Sequence, residues 1–126
     1  MSEYPSESNS PNYGYLSNWD AYCKFLYWGA DTGKLPTNIR LFNKVGDAYG
    51  FLTDICYFVD FDHQIEFLLS ATIYCNSDGI LNDDKYDYDK IGYPFMKNLG
   101  RVIYDYERDQ KKAFPPDLSK FRVPHN

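Results

Sequence analysis

The sequence predicts an α+β fold: a three-stranded antiparallel meander, a C-terminal helix packed on it and a short N-terminal helix. Three observations carry this expectation. Phe51 to Asp60 (FLTDICYFVD) and Gln64 to Cys75 (QIEFLLSATIYC) are long runs rich in β-branched and aromatic residues, and only Phe61, Asp62 and His63 lie between them to reverse the chain. Arg40 to Gly46 supplies a third strand in front, ending in Lys44-Val45-Gly46. After Pro94, the residues Phe95, Leu99, Val102, Ile103 and Tyr106 recur at helical spacing.

Length and charge bound the possibilities. The 126 residues fit one domain. Residues 1–16, rich in Ser, Pro, Asn and Glu, predict a flexible lead-in; 17–112 form the α+β domain, and 113–126 an irregular tail. A net charge of −5 argues against nucleic acid and anionic membranes as partners. No run approaches the ~18 apolar residues of a membrane span. The first residues lack the charged and apolar regions of a signal peptide, so nothing in the chain directs it out of the cytoplasm.

Cys23, Cys56 and Cys75 do not make a disulfide framework. A turn at Asp62-His63 sets Cys56 opposite Leu69, leaving Cys75 roughly 20 Å further along at ~3.3 Å per residue. A bridge needs a Cα separation below ~7 Å, so buried thiols are expected. The 13 Tyr, 9 Phe and 2 Trp admit two readings: an aromatic core with tyrosines at its margins, or a surface that grips a partner. A sugar-binding variant of the second would need Trp19 or Trp28 facing solvent.

Ser17 or Asn18 can cap a helix through Trp19, Tyr22, Cys23, Leu26 and Tyr27, with Asp20 paired to Lys24 and Gly29 at its end. Ala30 to Asn38 is loop. In the hairpin, Leu52, Cys56 and Phe58 share a face with Ile65, Phe67, Leu69, Ala71 and Ile73. Phe51, Ile55, Tyr57 and Val59 share the other with Leu68, Thr72 and Tyr74. Asp54 interrupts the first face, Glu66 and Ser70 the second. Both faces are largely apolar, which predicts cover on both sides. Pro94 suits the first helical position, and earlier acidic residues can extend the start by a turn. Gly100 predicts close packing of the helix on the sheet. Lys111 and Lys112 oppose the helix dipole, and Pro115-Pro116 stops the helix. One long and one short helix leave a layer missing, which a partner would supply.

Several chemical patterns fail on spacing. Gly29-Ala30-Asp31-Thr32-Gly33-Lys34 is one residue too short for a phosphate loop, and Leu35 stands where Ser or Thr would bind Mg²⁺. The acidic stretch Asn82 to Asp89 lacks the ligand spacing of a Ca²⁺ loop. His63 and His125, the only histidines, predict neither a zinc site nor a Ser-His-Asp triad. No metal or cofactor is expected.

Lys44-Val45-Gly46 gains meaning from its setting: a strand, then a hairpin, then a terminal helix. This arrangement resembles the C-terminal part of the serine β-lactamase and penicillin-binding-protein superfamily, where a strand carries Lys-Thr-Gly. The wording is closest to β-lactamase-like serine hydrolases. It lies in Asn38 to Phe51 (NIRLFNKVGDAYGF), Ser70 to Tyr74 (SATIY), Asp78 to Tyr86 (DGILNDDKY) and Ile91 to Phe95 (IGYPF), within roughly residues 18–107.

The resemblance implies a partial β-lactamase/transpeptidase-like fold. Lys44 would act as the catalytic cation drawing in a substrate carboxylate, with Val45 and Gly46 binding substrate along the strand edge. Val45 replaces the family's Thr or Ser and loses its hydroxyl. The family's Ser-x-x-Lys nucleophile has no counterpart, since no serine here is followed three residues later by lysine. The expectation is therefore the C-terminal segment of such a hydrolase, inactive alone. Its partner would be the missing N-terminal half, or a homo-oligomer partner covering the open sheet face. The rival expectation is a small acidic, non-catalytic interaction or ligand-binding module using an aromatic surface.

Overall fold

The computed structural model describes residues 4–8, 11–13 and 20–123. Strands β1 (Ile39–Ala48), β2 (Phe51–Asp60) and β3 (Ile65–Tyr74) form an antiparallel sheet in the order β1-β2-β3. The register runs without a break from Ile39 opposite Asp60 to Ala48 opposite Phe51, and from Phe51 opposite Tyr74 to Asp60 opposite Ile65. Cys56 lies opposite Leu69 as expected, and all three thiols are free.

Both hairpin turns follow from local chemistry. Tyr49 and Gly50 join β1 to β2 with φ of 54° and 89°, the paired positive values of a primed turn that matches strand twist. Gly50 is required there, because a Cβ would lie 2.5 Å from the Cβ of Asn76. Phe61 to Gln64 join β2 to β3, and Asp60 Oδ1 accepts the backbone N–H groups of Asp62 and His63. The first strand is longer than its sequence suggested. Lys44-Val45-Gly46 lies inside β1 rather than at its end, opposite Ile55, Asp54 and Thr53.

Helix α1 is a single turn, Phe25–Trp28, and α2 spans Tyr93–Asp109. The expected longer N-terminal helix is not formed over its described part. Residues 20–23 form a turn, with Cys23 at φ 56° and Tyr27 at φ 94°. Asp20 does not pair with Lys24; it accepts the backbone N–H and hydroxyl of Ser6 at 3.0 and 2.7 Å. Ser17, Asn18 and Trp19 lie outside the described residues. Gly29 does end the turn, its N–H bonded to the carbonyl of Phe25 at 2.8 Å.

A π-type turn over Tyr88–Gly92 leads into α2, so the start is extended as expected, with Pro94 in the first turn. The buried side of α2 is rotated from the expected stripe, which is met in part. Leu99 and Ile103 are half-buried, Leu99 against the core, and Met96, Gly100 and Tyr104 are buried, while Phe95, Val102 and Tyr106 are exposed. Gly100 explains the rotation: its Cβ position lies 2.4 Å from the backbone nitrogen of Tyr27, so the close approach is to α1, not to the sheet. The helix stops at Asp109, before Lys111, and Lys112 Nζ donates to the Gln64 carbonyl at 3.2 Å.

The two faces of the sheet have different fates. Leu41, Leu52, Cys56, Phe58 and Ile65 are buried beneath α1 and α2, and Phe58 stacks on Phe67 at 4.8 Å. On the other face, the described residues cover only one end. There Phe121, in a short turn at Ser119–Phe121, packs on Tyr57 at 4.9 Å and on Phe42 at 5.8 Å, so the tail contributes to the fold. Glu7 of the lead-in holds Arg40 at 2.5 and 2.7 Å, and the buried Tyr4 hydroxyl accepts Leu41 N–H at 3.1 Å. The rest of this face, with Lys44, Phe51, Ile55, Leu68 and Tyr74, is exposed. The expected two-sided cover is therefore one-sided over most of the sheet.

Candidate functional site

Alternation along β1 decides where the Lys-x-Gly residues point. Lys44 and Gly46 lie on the face that no described helix covers, and Val45 lies on the helix side opposite Asp54. Val45 is half-buried and packs against the core. The structure thus brings Lys44 and Gly46 together and turns Val45 away, leaving only its backbone near them. The Lys44 ammonium donates to the Val45 carbonyl at 2.6 Å and has no carboxylate partner among the described residues. A Cβ on Gly46 would meet nothing within 4 Å. Both residues lie on an edge strand, with open space beside them.

Across this face from Lys44 come Ile55 and then Ser70, directly opposite in register. Toward the Gly46 end, Thr53 and Thr72 share a 2.8 Å hydroxyl contact, and the rings of Phe51 and Tyr74 lie 4.6 Å apart. Toward the other end, the Tyr57 hydroxyl donates to Glu66, and burial with that bond pushes Tyr57 up to about 12. The face is thus an apolar and hydroxyl-bearing platform, with Lys44, which has no carboxylate partner among the described residues, on its rim.

The helix side holds two polar networks that sequence spacing did not reveal. Lys24 Nζ donates to Asn43 Oδ1 at 2.8 Å, and Asn43 Nδ2 donates to Asp54 Oδ1 at 3.0 Å and to the Cys23 carbonyl at 2.7 Å. Asp54 Oδ2 accepts the Leu26 N–H at 2.9 Å, pinning α1 to β2. Burial lowers the Lys24 pKa and raises that of Asp54, against their mutual attraction. In the second network, Asp60 accepts from Asn38, Tyr104 and the turn, and its Oδ2 lies 2.8 Å from His63 Nδ1. Burial opposes ionisation of Asp60, but these bonds together hold its pKa below the ordinary value. The only sequence signal for either network was an acid, Asp54, breaking an apolar face.

These networks brace the fold; among the described residues, no serine or thiol is bonded to His63 or Lys24. Two clefts, of about 210 and 410 Å³, are lined by residues around Cys23 and Tyr93 and around Pro115 and Arg122, and neither includes Lys44. Trp28 is buried and does not offer a sugar platform; Trp19 lies outside the described residues. Among the described residues, no cluster of three or more His, Cys, Asp or Glu could hold a metal, and no helix is long and apolar enough to cross a membrane. Compared with family models, curated proteins and solved structures, the chain matches none.

Proposed function

We propose that this chain supplies the Lys-x-Gly strand of an acyl-transfer site in a β-lactamase-like serine hydrolase, with the nucleophile carried by another polypeptide segment. The observation that carries this reading is the placement of Lys44. Among the described residues its ammonium has no carboxylate partner, and it stands on an edge strand, beside open space at Gly46, on the face that no described helix covers. Such a cation is free to hold a substrate carboxylate, and a Gly beside it lets a substrate lie against the strand. The segment bearing the nucleophile would cover the platform of Phe51, Ile55, Leu68 and Tyr74, closing a cleft over Lys44.

Incubation of the chain alone with a fluorescent penicillin, followed by mass spectrometry, is expected to give no acyl-serine adduct; a stoichiometric adduct would refute the division of labour. Assayed with the polypeptide that completes the site, Lys44→Ala should lose turnover while folding is intact. Unaltered turnover would refute a role for the lysine.

The exposed aromatic and aliphatic platform also favours a second reading, a non-catalytic interaction module that grips a partner through this face. Lys44→Ala separates the two, because the module would bind its partner unchanged.

A further inference from the structure

We infer that the cleft between α1 and the start of α2 is a binding site for a small organic cation, a quaternary or methylated ammonium group held among aromatic rings. The cleft has a volume of about 210 Å³, and Tyr22, Cys23, Phe25, Ala30, Asp31 and Tyr93 are among its lining residues. It does not include Lys44, and the inference is independent of any role for that lysine.

Size and wall chemistry select the ligand. A cavity of ~150 Å³ already holds a benzene ring, whereas drug-sized molecules occupy ~300 Å³ or more. The space therefore suits a trimethylammonium group and is too small for a nucleotide. Three of the lining side chains are aromatic. The rings of Phe25 and Tyr93 lie 5.0 Å apart, tilted by 50°, and Tyr22 is the most exposed of the three. The faces of such rings attract a cation, most strongly where water is displaced. Charge points the same way. Asp31 is already held by Lys97 at 2.6 Å. Asp47, exposed near the end of β1, has no ion pair among the described residues. Cys23 pushes up the Tyr22 hydroxyl, and burial pushes up the Cys23 thiol and the Tyr93 hydroxyl; the nearby Asp47 carboxylate adds to the rise in all three. Lys24, next to Cys23 in sequence, turns away into the core, to Asn43 at 2.8 Å. An anionic ligand would thus meet Asp47 without a countercharge, whereas a cation supplies its missing partner.

The cleft is preformed. A Cβ on Gly29 would lie 2.7 Å from the Tyr93 carbonyl oxygen, so the end of α1 seats directly on the first turn of α2. The bond from Lys97 to Asp31, and that from Arg101 to the Tyr27 carbonyl at 3.2 Å, hold the two sides in place. A ligand entering here has little to order, so its contacts appear as affinity.

The test titrates the isotopically labelled full chain, followed by NMR, with choline, with a peptide carrying trimethyllysine, and with the uncharged tert-butyl analogue of choline. Either ammonium probe should give saturable shifts at Tyr22, Ala30 and Tyr93, and the tighter of the two names the source of the group, a free small molecule or a modified side chain. The uncharged analogue should bind at least about tenfold more weakly than choline. Asp47→Asn and Tyr22→Ala, both at exposed positions, should weaken binding about threefold and about fivefold. Ala30→Leu, which fills the cleft from an exposed position, should abolish binding while the fold is retained. Equal affinity for choline and its uncharged analogue would overturn the inference. So would the absence of saturable shifts from both ammonium probes, or binding undiminished in Ala30→Leu.

Discussion

The hydroxyl of Tyr104 donates to Oδ2 of Asp60 at 2.8 Å, joining the middle of α2 to the end of β2 beneath the hairpin turn. Asp60 is fully buried and also receives Asn38, so the tyrosine anchors the helix to a carboxylate fixed from several directions. Tyr104→Phe should destabilise the protein by about 2 kcal/mol at neutral pH, the value of a hydrogen bond to a buried charge. Urea unfolding measures it.

The same carboxylate predicts an acid limb. The Asp60 pKa is lowered in the folded state, so its stabilising contribution is complete above the unfolded value of ~3.9. It is lost as pH falls through the lower folded value. The stability difference between wild type and Tyr104→Phe should therefore shrink below about pH 4. A difference that stays constant down to the acid transition would contradict this.

Asn43 bridges Lys24 and Asp54, which are not themselves in contact as an ion pair. Asn43→Ala would leave a buried ammonium and a carboxylate short of a partner, at a cost of about 3 kcal/mol. Thermal unfolding would show it. A loss below that of an ordinary surface substitution, within about 0.5 kcal/mol, would mean that the bridge is dispensable.

Gly100 and Tyr49 make opposite predictions. Gly100→Ala should destabilise by about 1–3 kcal/mol despite its better helix propensity, because the new methyl group meets the backbone of Leu26 and Tyr27. Tyr49→Asn should stabilise by roughly 0.5 kcal/mol, since the exposed tyrosine holds a positive φ that asparagine adopts more readily. Chemical denaturation of both variants distinguishes these signs.

The hairpin was legible because strand periodicity leaves little choice. Once Asp62 and His63 are taken as the turn, every residue from Phe51 to Tyr74 is assigned to a face, and those faces agree with the register. Helix α2 was legible as an element but not in its rotation. Two overlapping sets of apolar residues occur along it, and the close seat of Gly100 against Tyr27 selects Met96 and Tyr104 over Phe95 and Val102. The short α1 escaped because Cys23 and Tyr27 take positive φ, which helical spacing does not register. Asn43 escaped because its partners, Lys24 and Asp54, are distant in sequence and meet only when α1 lies on the sheet. Lys44 was singled out by resemblance alone, and the strand alternation that separates it from Val45 emerged from the full length of β1.

Titration of the isotopically labelled chain with benzylpenicillin, followed through the Lys44 side chain and the β1 amides, tests the proposed role of this lysine most directly. The expected result is saturable shifts confined to Lys44, Gly46 and their neighbours on the helix-free face, weakened by salt and abolished in Lys44→Ala. Shifts that bypass Lys44, or that persist unchanged in Lys44→Ala, would contradict it.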